Sequence, residues 1–313
     1  MHRMLLLIFI LSTCLSAQGL RIITWNAREV FNVDSVRIRA KHFKNFAESL
    51  EPDILCLQEV TSIHVVRAMR DVMGLKDYYV ACSDFHQNDS GRYYALEVGI
   101  ISRFPLSSLL EYDPIPDNIM KVDPPERKLE PSWELGIPAV QTYRGFLWAK
   151  IEEIKLTLVV THLKSSRGYV GYEDENNARQ REFVMACIAK SVLEDSFYFT
   201  DYNFIVCGDF NVGHSDSLKN GVDLIVDGYR PEDGKDLYDE THALLEDGLV
   251  NDLRMRNATR SILDSTYPSF PGSPIDNIYV GGILADYFSD AQTTQEETFG
   301  SDHKPVWIVW ERP

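Results

Sequence analysis

Phe204-Ile205-Val206-Cys207-Gly208-Asp209-Phe210-Asn211 sets an apolar run directly against Gly-Asp-Phe-Asn. A run that apolar and short, stopped by glycine, reads as a strand buried on both faces. The polar residues then stand where the chain leaves the sheet. Loops at strand ends, carried by a rigid sheet, are where catalytic groups collect. Asp209 and Asn211 are two apart, so on an extended chain they point the same way. A carboxylate beside an amide suits a metal or a phosphoryl group. The same tetrapeptide is also good turn chemistry, since Gly, Asp and Asn favour turns.

The same arrangement recurs along the chain. Residues 20–25 read as a strand ending in Asn26-Ala27-Arg28, and Asp53-Ile54-Leu55-Cys56-Leu57 runs into Gln58-Glu59. Residues 156–161 run into His162-Leu163-Lys164. Ile275-Asp276-Asn277-Ile278-Tyr279-Val280 opens another strand, and Ser301-Asp302-His303-Lys304-Pro305 precedes a last one at 306–310. Each has an ordinary alternative: Asn26 as a turn cap, Glu59 as the first-turn acid of a helix, His162 as a core histidine. Ordinary readings explain the repetition badly. A sheet fans such positions into one rim, where open α/β structures bind ligands.

Between these strands, helical spacing is expected over 36–50, ended by Glu51-Pro52, and over 62–73 and 175–194, with Val184, Cys187, Ile188 and Val192 on one face of the last. Tyr78-Tyr79-Val80, residues 98–101 and Phe146–Ile151 read as strands, with a polar loop at 83–92. Residues 107–143, dense in proline and charge, read as a long surface excursion. Residues 213–240 are acidic, but Asp227, Asp233, Asp236 and Asp239 fit no calcium loop. Asn88-Asp89-Ser90 and Asn257-Ala258-Thr259 have the form of glycosylation acceptors.

At 313 residues, 44% hydrophobic and 25% charged, the chain has the makings of a globular protein with a sizeable core. Residues 1–19 stand apart: His2 and Arg3, a short apolar run, then Ser12, Thr13, Ser16 and Ala17. This is the pattern of a secretory signal peptide, too short for a membrane span of about 20 residues. The expected organisation is a leader over 1–19 and a single domain over 20–313, secreted or periplasmic. The formal net charge of −16 argues against nucleic-acid binding through a broad basic surface. It leaves room for local grip on a phosphodiester by a metal and a few arginines. Cys56 and Cys207 lie in strand-like runs and read as buried thiols, Cys82 and Cys187 are available to pair, and no cysteine spacing suggests zinc.

Taken in order, Trp25-Asn26, Leu57-Gln58-Glu59, Thr161-His162-Leu163, Gly208-Asp209-Phe210-Asn211 and Ser301-Asp302-His303 resemble the motifs of the endonuclease/exonuclease/phosphatase superfamily, the metal-dependent phosphoesterases that include deoxyribonuclease I. The resemblance covers nearly all of residues 20–313. It implies an α/β (α+β) four-layer sandwich, two mixed β-sheets packed face to face with helices outside. Asn26-Ala27-Arg28 is similar to an Asn-x-Arg whose arginine contacts phosphate, and Arg144 stands where a second such arginine is found. The sequence departs from the pattern at Thr61, where an arginine follows the metal-binding glutamate, and at Asn277, where an arginine follows the aspartate.

Phosphodiester hydrolysis needs a Lewis acid, an activated water and a proton for the leaving oxygen. Glu59 and Asp302, with Asn26 beside them, are the expected ligands of Mg²⁺ or Mn²⁺. His303 is the expected base, oriented by Asp276. His162 is the expected acid or phosphate clamp, with Glu97 as its orienting partner. Asp209 and Asn211 would position the phosphoryl oxygens and the nucleophile, and Arg28 and Arg144 would neutralise non-bridging oxygens. The expected substrate is nucleic acid, DNA or RNA, cut by an endonuclease. The alternative is a sphingomyelinase or phosphoinositide phosphatase acting on lipid head groups, with Trp133 and Ile137 touching a membrane. A binding protein that lost the chemistry is a third reading, disfavoured because the catalytic set is complete. No stable protein partner is evident, and a monomer is expected.

Overall fold

A computed structural model describes residues 19–85, 97–114, 120–123, 128–129, 142, 144–165, 175–213, 240–269, 272–283 and 285–311. Residues 1–18 of the expected leader, Asn88, Trp133, Ile137 and the acidic positions Asp227, Asp233, Asp236 and Asp239 lie outside them.

Alternation along the strands assigns each side chain to a layer. In Leu20–Val30 (β1), Leu20 and Ile22 face one way and Ile23 and Trp25 the other. In Ile54–Val60 (β2), Ile54 and Cys56 join the first pair, and Leu55 and Leu57 the second. The remaining strands are Tyr79–Cys82 (β3), Glu97–Ser102 (β4), Ser107–Pro114 (β5), Met120–Asp123 (β6), Lys128–Leu129 (β7), Phe146–Ile151 (β8), Leu156–His162 (β9), Asn203–Asp209 (β10), Arg256–Asn257 (β11), Asp276–Gly282 (β12), Gln292–Thr293 (β13) and Val306–Trp310 (β14). They form a six-stranded sheet, β13-β14-β1-β2-β4-β3, and an eight-stranded sheet, β11-β12-β10-β9-β8-β5-β6-β7. Both are mixed: β1/β2 and β9/β10 are parallel, and the other pairs antiparallel.

The sheets face each other across a layer of Ile22, Cys56 and Ile100 from one side and Leu158, Val160, Ile205, Cys207 and Ile278 from the other. Outside the six-stranded sheet lie Val33–Ile38 (α1), Ala40–Leu50 (α2) and Ile63–Val72 (α3), which bury Phe43, Phe46, Val66 and Met69 against Trp25 and Leu57. Outside the other lie Glu175–Tyr198 (α4) and Ala243–Glu246 (α5), with Val184, Cys187, Ile188 and Val192 on Val159, Phe204 and Val206. The four-layer expectation is met.

Several local expectations are corrected. The single helix expected over 36–50 is two, broken at Arg39 (φ −95°, ψ 12°), whose guanidinium reaches back to the carbonyls of Arg28 and Ala27. The excursion at 107–143 begins as sheet: β5 pairs with β8, and Tyr112 stacks on Phe146 at 4.2 Å. Cys82 and Cys187 lie in opposite outer layers, which rules out their pairing in a disulfide. Asn257 is buried, its amide donating to Glu246 and Tyr279, so this sequon offers no accessible acceptor. Among the described residues no helix is long and apolar enough to cross a membrane.

Candidate active site

Asp209 ends β10 at the centre of the rim. Strand register sets it opposite His162 of β9 on one side and Asp276 of β12 on the other. Gly208 makes that register possible. Its φ is +148°, and a Cβ there would meet the Thr161 carbonyl oxygen at 1.9 Å. The turn that follows is held locally. Asn211 N donates to Asp209 Oδ1 at 2.8 Å, and Asn211 Nδ2 donates to Leu163 O at 3.0 Å. Asn211 has φ 57°, so the chain is no longer extended there. Its amide is turned onto the backbone instead of lying parallel to the Asp209 carboxylate as expected.

The other sheet supplies Asn26 and Glu59. Asn26 Nδ2 donates to Glu59 Oε1 at 3.0 Å and to Asp209 Oδ2 at 2.9 Å, joining the two sheets through one amide. Its Oδ1 accepts from Arg28 N at 3.0 Å, so Asn26 spaces the carboxylates apart. Register shifts in β1/β2 and β2/β4 fall at this level, and Arg28, Glu29 and Glu59 have φ of 55°, 45° and 59°. Such bulges re-aim side chains, and left-handed non-glycine residues persist only where their surroundings enforce them. Here Glu29 N donates to Glu59 Oε2 at 2.8 Å and locks the two bulges together. Thr61, one of the departures from the expected pattern, donates to Phe31 O at 2.8 Å and so pins the same loop.

His303 Nδ1 lies 2.9 Å from Asp276 Oδ2, the pairing the sequence suggested, and Nε2 points at Asp209 Oδ2 from 3.8 Å. Trp25 Nε1 on the His303 carbonyl, and Ser301 Oγ between Asn26 O and His303 N, anchor the loop. Burial alone would lower the pKa of His303, but the carboxylates of Asp276 and Asp209 outweigh it and lift it to about 10. Asp209 is itself raised to about 7, by burial first, with His303 opposing.

His162 is held differently from expectation. Arg144 Nη1, not Glu97, meets its Nδ1, at 2.6 Å. Glu97 accepts instead from Ser83 Oγ and Phe85 N, and burial raises it to about 7. A guanidinium only donates, so Nδ1 accepts and Nε2 carries the proton, directed at Asp209 Oδ2 (3.6 Å) and Glu59 Oε1 (3.9 Å). Burial, then Arg144, push the imidazole pKa well below its ordinary value. His162 is therefore a neutral hydrogen-bond donor, which favours the clamp over the acid. Arg144 in turn is lowered to about 10 by burial and is occupied in holding His162.

At the open edge, Arg28 Nε approaches Asp302 Oδ2 at 3.5 Å, and a cavity of about 300 Å³ is lined by Arg28, Glu29, Ser35, Ile38, Arg39 and Gly300. Sequence reasoning missed Arg39; no motif marks it, and only its place inside a would-be helix sets it apart.

The donor set suits a divalent metal. Ligand atoms of Asp209, Asp276 and His303 lie within 4.8 Å of one another, and Asp276 Oδ1 is buried with no hydrogen-bond partner among the described residues. The other oxygen, Oδ2, is taken by His303 Nδ1. Glu59 and Asp302, the ligands expected from the sequence, are carboxylates with more open side chains.

Solved structures share this architecture. The 3′ phosphatase NExo from Neisseria, bound to product DNA hairpin, superposes with TM-score 0.59 at 16% identity, covering 93% of this chain and 99% of that one. Truncated TDP2 from Caenorhabditis elegans gives 0.54 at 16% identity, over 93% and 97%. An AP endonuclease from Archaeoglobus fulgidus gives 0.57 at 17% identity, over 94% and 100%. Among curated protein sequences none matches. The sequence profile of the Endonuclease/Exonuclease/phosphatase family matches residues 23–303, from the strand that carries Asn26 through His303, and the chain belongs to that family.

Proposed function

We propose that this chain is a Mg²⁺- or Mn²⁺-dependent phosphodiesterase, an endonuclease that hydrolyses DNA or RNA, exported after removal of residues 1–19. The observation that carries the reading is the convergence of the His303–Asp276 pair, the His162 Nε2–H and the Asn26-bridged Glu59 and Asp209 on one cleft edge. The DNA-directed names of the structural neighbours support nucleic acid as the substrate. So does the guanidinium of Arg28 at the cleft mouth.

Glu59 and Asp302, with Asn26 beside them, would hold the divalent cation, which would supply Lewis acidity to the phosphoryl group. His303 takes the proton of the attacking water on Nε2, while Asp276 fixes the ring through Nδ1, and the leaving oxygen takes its proton from solvent at the cleft mouth. A cation at Asp302, one of the carboxylates that raise His303, would favour its neutral base form. His162 donates its Nε2–H to a phosphoryl oxygen, kept neutral and oriented by Arg144. Asp209, held by Asn26 and by Asn211 N, aligns both histidines. Arg28 neutralises a non-bridging oxygen.

The test is a screen of the mature protein against plasmid DNA, RNA, sphingomyelin, phosphoinositides and bis-p-nitrophenyl phosphate, with Mg²⁺ and with EDTA. Nucleic-acid cleavage that EDTA abolishes and Mg²⁺ or Mn²⁺ restores is expected, and Glu59→Gln should lose it while staying folded. Full turnover in EDTA overturns the metal role. Turnover of lipid head groups alone moves the chain to the lipid-directed reading. Protein from the native host that still begins at Met1 overturns the export.

A further inference from the structure

A chain of buried polar groups runs behind the site, from the turn after Asp209 to the strand that carries Asp276. His242 Nε2 lies 3.1 Å from Val212 O, and its Nδ1 lies 2.6 Å from the Tyr279 hydroxyl. That hydroxyl donates to Glu246 Oε1 at 2.5 Å and accepts from Asn257 Nδ2 at 3.0 Å. Thr259 Oγ1 then bridges Asn257 Oδ1 (2.6 Å) and Asn277 Oδ1 (2.9 Å). His242, Tyr279, Asn257, Thr259 and Asn277 are all buried. The Phe210 ring, between Asp209 and Asn211, is seated on the same groups, 5.8 Å from Tyr279 at 2° and 5.7 Å from His242.

We propose that His242, with Tyr279, is a positioning residue that sets the Asp209–Asn211 turn against the Asp276–His303 pair; its effect on turnover rests on the phosphodiesterase reading above. The two ends of the chain carry the inference. One is the carbonyl directly after Asn211, whose φ of 57° needs enforcement. On the site side that turn is held by Asp209 Oδ1 and Leu163 O, and His242 holds it from behind. The other end is Asn277, directly after Asp276. The position departs from the expected arginine because its side chain is buried as an acceptor for Thr259. A histidine that only filled the core would not need to tie two catalytic elements to one hydroxyl.

The experiment compares wild type with Tyr279→Phe, His242→Leu and His242→Gln. Tyr279→Phe removes the hydroxyl and keeps the ring under Phe210. His242→Gln keeps a donor within reach of Val212 O. Turnover is read on bis-p-nitrophenyl phosphate with Mg²⁺, folding by thermal melting, and the turn by amide hydrogen exchange at Asn211. Tyr279→Phe and His242→Leu should lower kcat by about 10- to 100-fold, the scale of a small misplacement of reacting groups, with KM nearly unchanged. Exchange at Asn211 should quicken about tenfold while β1 keeps its protection. His242→Gln should retain more of both. Folded variants with wild-type kcat, or with Asn211 exchange unchanged, overturn the proposal. A wild type that hydrolyses no phosphodiester overturns the functional reading instead, and the exchange measurement still decides the positioning.

Discussion

Arg144 Nη1 lies 2.6 Å from His162 Nδ1, so a group that can only donate fixes the imidazole as an acceptor on that nitrogen. Burial and the Arg144 charge both hold His162 in its neutral form. Arg144→Met removes the largest of the charge effects and lets the pKa of His162 rise. The expected result is a kcat lower by about 10²-fold and a new acid limb in the pH–rate profile. A profile superimposable on wild type would sink this role.

The metal-free protein should lose stability as pH rises. His303 titrates at about 10 when folded, against 6.5 ordinarily, so its contribution is complete below 6.5 and disappears as pH passes through about 10. Asp209, raised from 3.8 to about 7, acts in the same direction in the acid half of the range. Thermal melts in EDTA across this span should fall steadily. The His303→Asn variant should fall less above pH 6.5, and the gap between the two curves isolates the His303 share. A wild-type melting point that rises from neutral to alkaline pH would contradict the electrostatics.

Gly208→Ala tests the register. A Cβ at 1.9 Å from the Thr161 carbonyl oxygen must push β10 away from β9. The expected cost is about 3 kcal/mol of stability, together with a loss of turnover, because Asp209 is the next residue. A melting point within a degree of wild type would mean that the strands part cheaply.

Arg28 carries a conflict between stability and grip. Its φ of 55° suits glycine, yet its side chain faces Asp302 at the cleft mouth. Arg28→Gly should melt above Arg28→Ala, by about 1 kcal/mol, while both raise KM on a polynucleotide by about tenfold with a shallower salt dependence. Equal melting of the two variants would show that the left-handed backbone carries no strain.

The architecture and most of the rim were legible because buried strands that meet the rim at Asn26, Glu59, His162, Asp209 and Asp276 announce themselves through apolar runs bounded by abrupt polar residues. The His303–Asp276 pair was also legible, since an imidazole and a carboxylate at neighbouring strand ends have one economical way to meet. The partner of His162 was not. Arg144 lies two residues before β8 and Glu97 opens β4, where a register shift sets it opposite Val60 and its carboxylate accepts from Ser83. The orientation of Asn211 was also hidden, because the two-residue period fails once φ turns positive. The break at Arg39 follows from a side chain reaching carbonyls distant in sequence, which helical periodicity does not register.

Asn26 reaches Asp209 across the joint between the two sheets, so the apolar layer of Ile22, Cys56, Ile205 and Cys207 acts as a shim. Its side-chain volumes set the gap that the reacting groups must span. Heat or pressure that loosens this layer by a fraction of an ångström opens the Asn26–Asp209 contact while every strand is still paired. Inactivation should therefore run ahead of melting, and the protein's working temperature is limited by the thickness of its interior before the cohesion of its fold.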